Sequence, residues 1–139
     1  MTEMSDFNRK IIEEFRANDG VVGGPFEGAQ LVLLTTTGAR TGATRINPLA
    51  TLATDDGRLF VFASKGGAPA NPDWYHNVVE HPEVGVELGR EKFTAIATPL
   101  TGPERDRIFA IQKEKMPGFA DYEKATTRVI PVVELRRQD

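Results

Sequence analysis

Two short basic loops, both rich in glycine, hold the residues of this chain that are best suited to chemistry. The first runs from Gly38 to Gly42 and is followed by Arg45, and the second runs from Ser64 to Gly67. Glycine lets backbone N–H groups approach a ligand closely, and the neighbouring cations favour an anion. Because the chain carries a net charge of −3, this local basic focus predicts a bound anionic small molecule rather than a polymer-binding face.

A purely structural interpretation of the same loops stays open at this point. Gly38 and Gly42 can serve a tight turn whose charged neighbours are solvated, since short glycine motifs often occur without a ligand. If loops that follow two different strands meet at one rim, however, Arg40, Arg45 and Lys65 together would hold a phosphate or a carboxylate.

A helix start follows the second loop, between Asn71 and Asn77. Its N–H groups favour an anion, and the lone tryptophan, Trp74, can cover a flat ring, although such a residue is more often a core anchor. His76 can donate to a ligand or lie on the helix surface. A hydrolase site formed by Ser64 and His76 is the weaker interpretation, because no Gly-x-Ser-x-Gly motif surrounds Ser64 and no acid is placed to orient the histidine.

An apolar stripe lies nearer the C-terminus, where Met116, Phe119 and Tyr122 are spaced three apart. A stripe of this kind usually belongs to a core. Over a cavity it would instead form an apolar substrate wall, in which the Tyr122 hydroxyl is the group able to donate a proton or a hydrogen bond.

A mainly β domain must position these residues. Strand patterns occur at 30–36, 44–53, 59–63, 84–88, 91–99 and 129–135. Helix patterns occur at about 5–18, 71–81, 101–116 and 119–125. The strand–helix alternation of a parallel sheet is missing, so we expect a single α+β domain over residues 1–139, an antiparallel barrel with peripheral helices.

Local signals refine the ends of these elements. Ser5 is a predicted N-cap, and Asn71 caps a helix whose first residue is Pro72. The segment Thr101 to Glu104 has the pattern of a capping box. Pro48 predicts a bulge or an edge position within its strand.

Composition excludes several classes of function. The chain has no cysteine and two histidines, which argues against thiol chemistry and against a catalytic metal site. A pI of about 5.5 argues against general nucleic-acid binding. The sequence shows neither a signal peptide nor a membrane span, so we expect a cytoplasmic protein. The mixed charges of the first helix make peripheral membrane contact the weaker interpretation.

Ordered motifs cover nearly the whole chain. They are Leu33–Gly38, Arg40–Gly42, Arg45, Asn47–Leu49, Ala63–Ala68, Asn71–Pro72, Trp74–Tyr75, Asn77, His81–Pro82, Asp121–Tyr122 and Arg128–Pro131. In this order the chain resembles the deazaflavin-dependent nitroreductase family, which uses coenzyme F420 and belongs to the FMN-binding split-barrel superfamily.

This resemblance implies a split β-barrel with the deazaflavin laid along a groove. It places the phosphate and the acidic tail of the coenzyme at Ala39, Arg40, Thr41 and Arg45. It lines the ring with two strand segments, Ile46, Asn47, Pro48, Leu49 and Ala50, and Phe62, Ala63, Ser64 and Lys65. It completes the coenzyme site with the helix start, Asp73, Trp74, Tyr75, His76 and Asn77.

The implied reaction is hydride transfer from reduced F420 to a small activated acceptor, which is a quinone, an enone or a nitroaromatic compound. Protonation of the product would come from solvent, from Ser64 or from Tyr122. The substrate pocket corresponds to Ala50, Met116, Phe119 and Tyr122. Members that reduce bulky nitroaromatics tend to carry more tyrosines at these positions, so the departure favours a quinone or an α,β-unsaturated carbonyl compound.

Two other functions fit the same residues. One is an FMN-binding split-barrel oxidoreductase, since FMN also carries a phosphate and a flat ring. The other is a non-catalytic deazaflavin-binding protein. A monomer and a homodimer are both compatible with the sequence.

Overall fold

Six antiparallel strands close into a barrel. The computed structural model describes residues 6–26 and 29–138. The strands are β1 (Leu31–Thr37), β2 (Thr44–Ala53), β3 (Leu59–Phe62), β4 (Glu83–Leu88), β5 (Glu91–Pro99) and β6 (Val132–Arg137). Around the barrel they follow the order β1, β2, β3, β6, β5, β4, and each neighbouring pair is antiparallel. The predicted antiparallel barrel of the α+β class is confirmed.

Four helices lie around the barrel in the described part of the chain. They are α1 (Asp6–Ala17), α2 (Asp73–Glu80), α3 (Gly102–Lys115) and α4 (Gly118–Lys124). The first agrees with the predicted helix, whose Ser5 cap lies outside the described residues. None of the helices within residues 6–26 and 29–138 is long and apolar enough to cross a membrane.

The last strand begins later than the sequence predicted, at Val132 rather than Val129. Val129 is 73% exposed. The Arg105 guanidinium donates two hydrogen bonds to the Ile130 carbonyl oxygen, at 3.1 and 2.8 Å. Pro131 has no backbone N–H to donate to a neighbouring strand. Residues 129–131 therefore cannot complete a regular strand.

One predicted helix cap is wrong, and a second is only partly formed. Helix α2 begins at Asp73 with Pro72 as the extended residue before it, and the Asn71 side chain accepts a hydrogen bond from Arg128 instead of capping. Thr101 is the N-cap residue of α3 and proline lies in its first turn, as predicted, but the Thr101 side chain makes no cap hydrogen bond. The Glu104 carboxylate pairs with Arg58 at 3.0 Å rather than folding back to complete the capping box. In both cases a distant arginine competes with the local motif.

Pro48 occupies an edge position, which is one of the two predicted roles. It lies opposite Leu33. The Thr51 N–H donates to the Gln30 carbonyl, and because bonded pairs alternate along an antiparallel ladder, the Leu33–Pro48 pair carries no ladder bond. Strand β3 pairs with β2 only at residues 51–53. The first part of β2 therefore has one edge without a strand partner, where the missing N–H of proline costs nothing.

Burial on both faces of β1 explains its continuous apolar run. Val32 and Leu34 point into the barrel core, whereas Leu31 and Leu33 pack under α1 with Phe15. A strand covered on both faces is apolar throughout rather than alternating. Helix α1 therefore acts as the outer cover of this side of the barrel, as its apolar stripe predicted.

Two ion pairs fasten distant elements together. Arg16 of α1 donates to both oxygens of Glu87 on β4, at 3.1 and 2.8 Å. Arg58 donates to both oxygens of Glu134 on β6, at 2.9 and 3.0 Å. The hydrogen bonds from the arginine lower the pKa of each glutamate below its ordinary value, although burial opposes the effect.

The substitution Glu134→Gln should reduce the loss of stability in acid. Stability that derives from a lowered folded-state pKa is present above the pKa of the unfolded chain and is lost as the pH falls through the folded-state value. Urea unfolding between about pH 7 and about pH 3 should show a shallower decline in unfolding free energy for the variant than for the native protein. Glu91→Gln removes an exposed pair with Arg137 and should change this slope less. Parallel declines in native protein and Glu134→Gln would contradict the assignment.

Candidate functional site

Two cavities lie on either side of the start of α2. We name the first the aromatic cavity; it measures about 550 Å³ and is bounded by β2, the segment after β3, Trp74, and the end of α3 with α4. We name the second the basic cavity; it measures about 780 Å³ and is bounded by the loop after β1, Arg45 and α2. Strand β2 contributes to both, with Arg45 at the basic cavity and Asn47 to Ala50 at the aromatic cavity.

The aromatic cavity collects most of the predicted ring-binding residues and the whole predicted substrate pocket. Of the predicted ring-binding set it is lined by Asn47, Pro48, Leu49, Ala50, Phe62, Ser64 and Lys65, and Trp74 of the predicted helix start joins them. The substrate-pocket residues on its wall are Ala50, Met116, Phe119 and Tyr122. The edge of β2 that lacks a strand partner forms part of this wall.

Sequence reasoning missed five residues that line the aromatic cavity: Asn8, Phe26, Ala29, Pro72 and Lys115. Pro72 and Lys115 are direct neighbours of predicted residues, and this adjacency was the available signal. No sequence signal placed Asn8 at the cavity, because α1 was interpreted only as a cover for the sheet.

The basic cavity collects the predicted anion-binding residues. It is lined by Ala39, Arg40, Thr41, Arg45, Asp73, His76 and Asn77, together with Gly38, Val79 and Glu80. Lys65 is not among them, so the structure brings Arg40 and Arg45 together and places the third predicted cation in the aromatic cavity. The carboxylates of Asp73 and Glu80 partly offset the two guanidinium charges.

Three predicted coenzyme-binding residues line neither cavity. Ile46 packs with the cluster beneath α1, and Tyr75 packs against the barrel core. Ala63 is fully buried. The apolar packing of these side chains, which the motif resemblance could not show, takes them out of the cavity walls.

The loop after β1 is a closed turn held by α2. The Gly38 N–H donates to the Ala43 carbonyl at 2.8 Å, and the Gly42 N–H donates to the Gly38 carbonyl at 2.9 Å. The buried Asn77 accepts from the Ala39 N–H at 2.9 Å and donates to the Thr36 hydroxyl at 3.0 Å. Asn77 therefore fixes the loop to the helix while it also lines the basic cavity.

This turn leaves cationic groups facing the basic cavity. Arg40 is exposed and forms no ion pair with any described residue. Arg45 is half-buried on β2 and donates to the Thr44 carbonyl at 3.3 Å. Two guanidinium groups beside the first turn of α2 form a donor set suited to a phosphate or a carboxylate.

Two hydroxyl groups are available at the aromatic cavity. Ser64 is half-buried and begins a short 3-10 turn, Lys65–Gly67. The Tyr122 ring packs edge-on against Phe119, with ring centroids 5.2 Å apart. Within residues 6–26 and 29–138, neither hydroxyl forms a hydrogen bond with another side chain or carbonyl. Both can therefore bond to a molecule in the cavity.

Known proteins match the sequence of this chain from α1 to β6. Residues 7–136 match the family model of the F420H(2)-dependent quinone reductases. An F420H(2)-dependent quinone reductase of Mycobacterium tuberculosis is 37% identical over 128 residues, which cover 89% of this chain and 85% of that protein.

Solved structures agree in sequence and fold. The structure of an F420-H2 dependent reductase is 38% identical in sequence and has a TM-score of 0.69. The alignment covers 76% of this chain and 93% of the reductase chain. A protein described as a domain-swapped dimer is 35% identical in sequence and has a TM-score of 0.71. That alignment covers 92% of this chain and 96% of the other chain.

The expectation of an F420-dependent oxidoreductase is confirmed by these matches, and coenzyme F420 is the cofactor that they imply. The matching family is named for quinones rather than for nitro compounds. This chain belongs to the family of F420H(2)-dependent quinone reductases.

Proposed function

We propose that this protein reduces a quinone at the expense of reduced F420, with the basic cavity holding the anionic end of the coenzyme and the aromatic cavity holding its ring. The observation that carries this assignment is the course of strand β2, which leads from Arg45 at the basic cavity to Ala50 at the aromatic cavity. A molecule that is polyanionic at one end and flat at the other matches this arrangement. When bound, reduced F420 supplies the hydride.

The basic cavity suits the phosphate and the acidic tail. Arg40 and Arg45 would form charge-assisted hydrogen bonds with these groups. The bonds from Asn77 and within the turn hold the loop before the ligand arrives, so little ordering is needed on binding. The first turn of α2 adds partial positive charge.

The aromatic cavity suits a flat ring and a flat acceptor. The unpartnered edge of β2 at Pro48 and Ala50 would line the ring, and Trp74 borders the same space. Such walls exclude water and orient the two reactants. Met116 and Phe119 form an apolar side for the acceptor, while the small Ala50 leaves room beside it.

The aromatic cavity also has cations that can stabilise negative charge on the acceptor. A quinone that accepts a hydride gains negative charge on an oxygen, and cations placed nearby stabilise this charge. Lys65 and Lys115 both line the aromatic cavity. A nitro compound or an enone gains similar charge, so the acceptor class must be decided by turnover.

Binding and turnover test this proposal in sequence. Fluorescence titration with oxidised F420, with FMN in parallel, should show saturable binding of the deazaflavin in preference to FMN. Oxidation of reduced F420 should then be fastest with quinones in a panel that includes enones and nitroaromatics. Preference for FMN would favour the flavin-binding alternative. Tight F420 binding without turnover of any acceptor would favour the non-catalytic alternative.

We expect Tyr122→Phe to lower kcat for quinone reduction by about tenfold, while the Kd for F420 stays close to that of the native protein. A phenol is a stronger acid than an alcohol, so Tyr122 is the better donor to the product, although water can partly replace it. Ser64→Ala is the matched change and should have the smaller effect on kcat. Steady-state kinetics at saturating F420 decide between them. Turnover that is untouched in Tyr122→Phe would remove this role.

A further inference from the structure

We propose that Arg128 is a positioning residue that fixes the loop between β3 and α2, and with it two walls of the aromatic cavity. The inference rests on the proposed function of that cavity. Arg128 itself lines neither cavity. It acts through the loop residues that it holds.

One guanidinium group reaches both ends of this loop. Its Nη1 donates to the Ala63 carbonyl at 3.1 Å and to Asn71 Oδ1 at 2.7 Å, while its Nη2 donates to the Ser64 carbonyl at 2.8 Å. Its Nε donates to the Ala68 carbonyl at 2.9 Å. Because the four acceptors span residues 63–71, the loop is held as a unit.

The partners of Arg128 are all neutral. They are backbone carbonyls and one amide oxygen, and no described carboxylate pairs with this side chain. Partial burial lowers the pKa of Arg128. Burying a charge without an ion pair is unfavourable. Arginine is nevertheless suited to this position, because its fixed fork of donors can serve four acceptors at once. Lysine has no such fork and cannot reproduce these bonds.

The loop ends carry residues of the aromatic cavity. Ser64 and Lys65 line one wall, and Pro72 and Trp74 line another. Lys65 has φ of 47°, a left-handed conformation that a residue other than glycine adopts only when its surroundings hold it. Beyond the 3-10 turn the loop has no regular structure. The guanidinium bonds therefore act together with the hydrogen bonds of the 3-10 turn, from the Gly67 N–H to the Ser64 carbonyl and from the Ala68 N–H to the Lys65 carbonyl. Among the described residues, the guanidinium bonds alone tie the first residues of the loop to its end at Asn71.

Arg105 provides a matched control. It is also buried, and it donates two hydrogen bonds to the Ile130 carbonyl, at 3.1 and 2.8 Å. It thus holds the segment that contains Arg128, but it makes no hydrogen bond to the loop at 63–71. Arg105→Lys should lower thermal stability without loosening the cavity walls.

The first readout needs no coenzyme. Trp74 is the only tryptophan and is 4% exposed, so acrylamide quenching of its fluorescence reports the order of the loop end. We expect Arg128→Lys to increase the quenching constant about twofold or more, whereas Arg105→Lys should not. The second readout is the Kd for F420, which Arg128→Lys should raise about tenfold. Asn71→Ala, which removes a single acceptor, should shift both values in the same direction by less.

The outcomes separate this inference from the proposed function. Native-like quenching and Kd in Arg128→Lys and Asn71→Ala would overturn the positioning role, as would equal changes in Arg105→Lys. If Arg128→Lys does not fold, Asn71→Ala alone decides by the same two values. If the native protein fails to bind F420, the proposed function fails, while the Trp74 comparison still tests whether Arg128 orders the loop.

Discussion

Replacing Arg40 and Arg45 together with alanine should raise the Kd for F420 by at least about 100-fold. Each charge-assisted hydrogen bond contributes about 1.5 to 3 kcal/mol, and about 1.4 kcal/mol corresponds to a tenfold change in affinity. The two side chains face one cavity, so both interactions are lost at the same end of the coenzyme. Fluorescence titration of the native and variant proteins measures the difference.

Ionic strength gives this prediction a second observable. Binding to exposed guanidinium groups weakens as salt screens them. The native protein should therefore lose affinity between about 0.05 M and about 0.5 M salt, and the double variant should lose much less. At saturating coenzyme, kcat should stay near the native value, because the reacting ring lies in the other cavity.

The matched control removes the same charge elsewhere. Arg90 is exposed and pairs with Asp19, and Arg107 is an exposed residue of α3. Changing both to alanine should alter the Kd by less than about threefold. An equal loss of affinity in this control would mean that net charge, rather than the basic cavity, governs binding.

Lys65→Ala separates two arrangements of the three cations. The sequence suggested that Lys65 joins Arg40 and Arg45 around one anion, whereas the structure places it in the aromatic cavity. We expect its removal to lower kcat/KM for the quinone more than it weakens F420 binding. The reverse pattern would restore the three-cation arrangement.

The barrel was predictable because its signals are local. Strand-like runs and hairpin turns located β2 and β5 with their observed bounds. The pairing of β3 with β6 and of β1 with β4 joins strands that are far apart in sequence. No turn fixes such pairing, and it follows from how the whole sheet closes. The order of strands around the barrel was therefore beyond local pattern reading.

The site was predictable in its residue types and less so in their roles. Motif order placed Asn77 with the coenzyme, but its amide bridges Ala39 and Thr36, which lie about forty residues away along the chain. Arg128 stood in a recognised motif, yet its acceptors are scattered over residues 63–71. Roles of this kind depend on tertiary contacts that spacing does not encode.

Gly67→Ala should destabilise the protein by about 2 to 5 kcal/mol. Gly67 has φ of 83°, and an added Cβ would lie 2.8 Å from the Ala125 Cβ and 2.9 Å from the Tyr122 carbonyl oxygen. A left-handed alanine costs about 1 to 2 kcal/mol, and overpacking costs about 1 to 3 kcal/mol more. Urea unfolding at neutral pH measures the sum.

Gly57→Ala separates these two contributions. Gly57 has φ of 84°, but an added Cβ would meet nothing within 4 Å. This variant should therefore lose only the backbone contribution, about 1 to 2 kcal/mol. The difference in unfolding free energy between the two variants measures the contact between the 3-10 turn and α4.

The same contact links the turn to the substrate side of the site. Relief of the clash at Gly67 moves α4, and this helix carries Phe119 and Tyr122 into the aromatic cavity. We expect Gly67→Ala to raise KM for the quinone severalfold while the Kd for F420, set largely at the basic cavity, changes less. Gly57→Ala should keep the native KM. If the two variants match in stability and in KM, the turn and α4 are not in contact in solution, and the cavity wall must be held by other means.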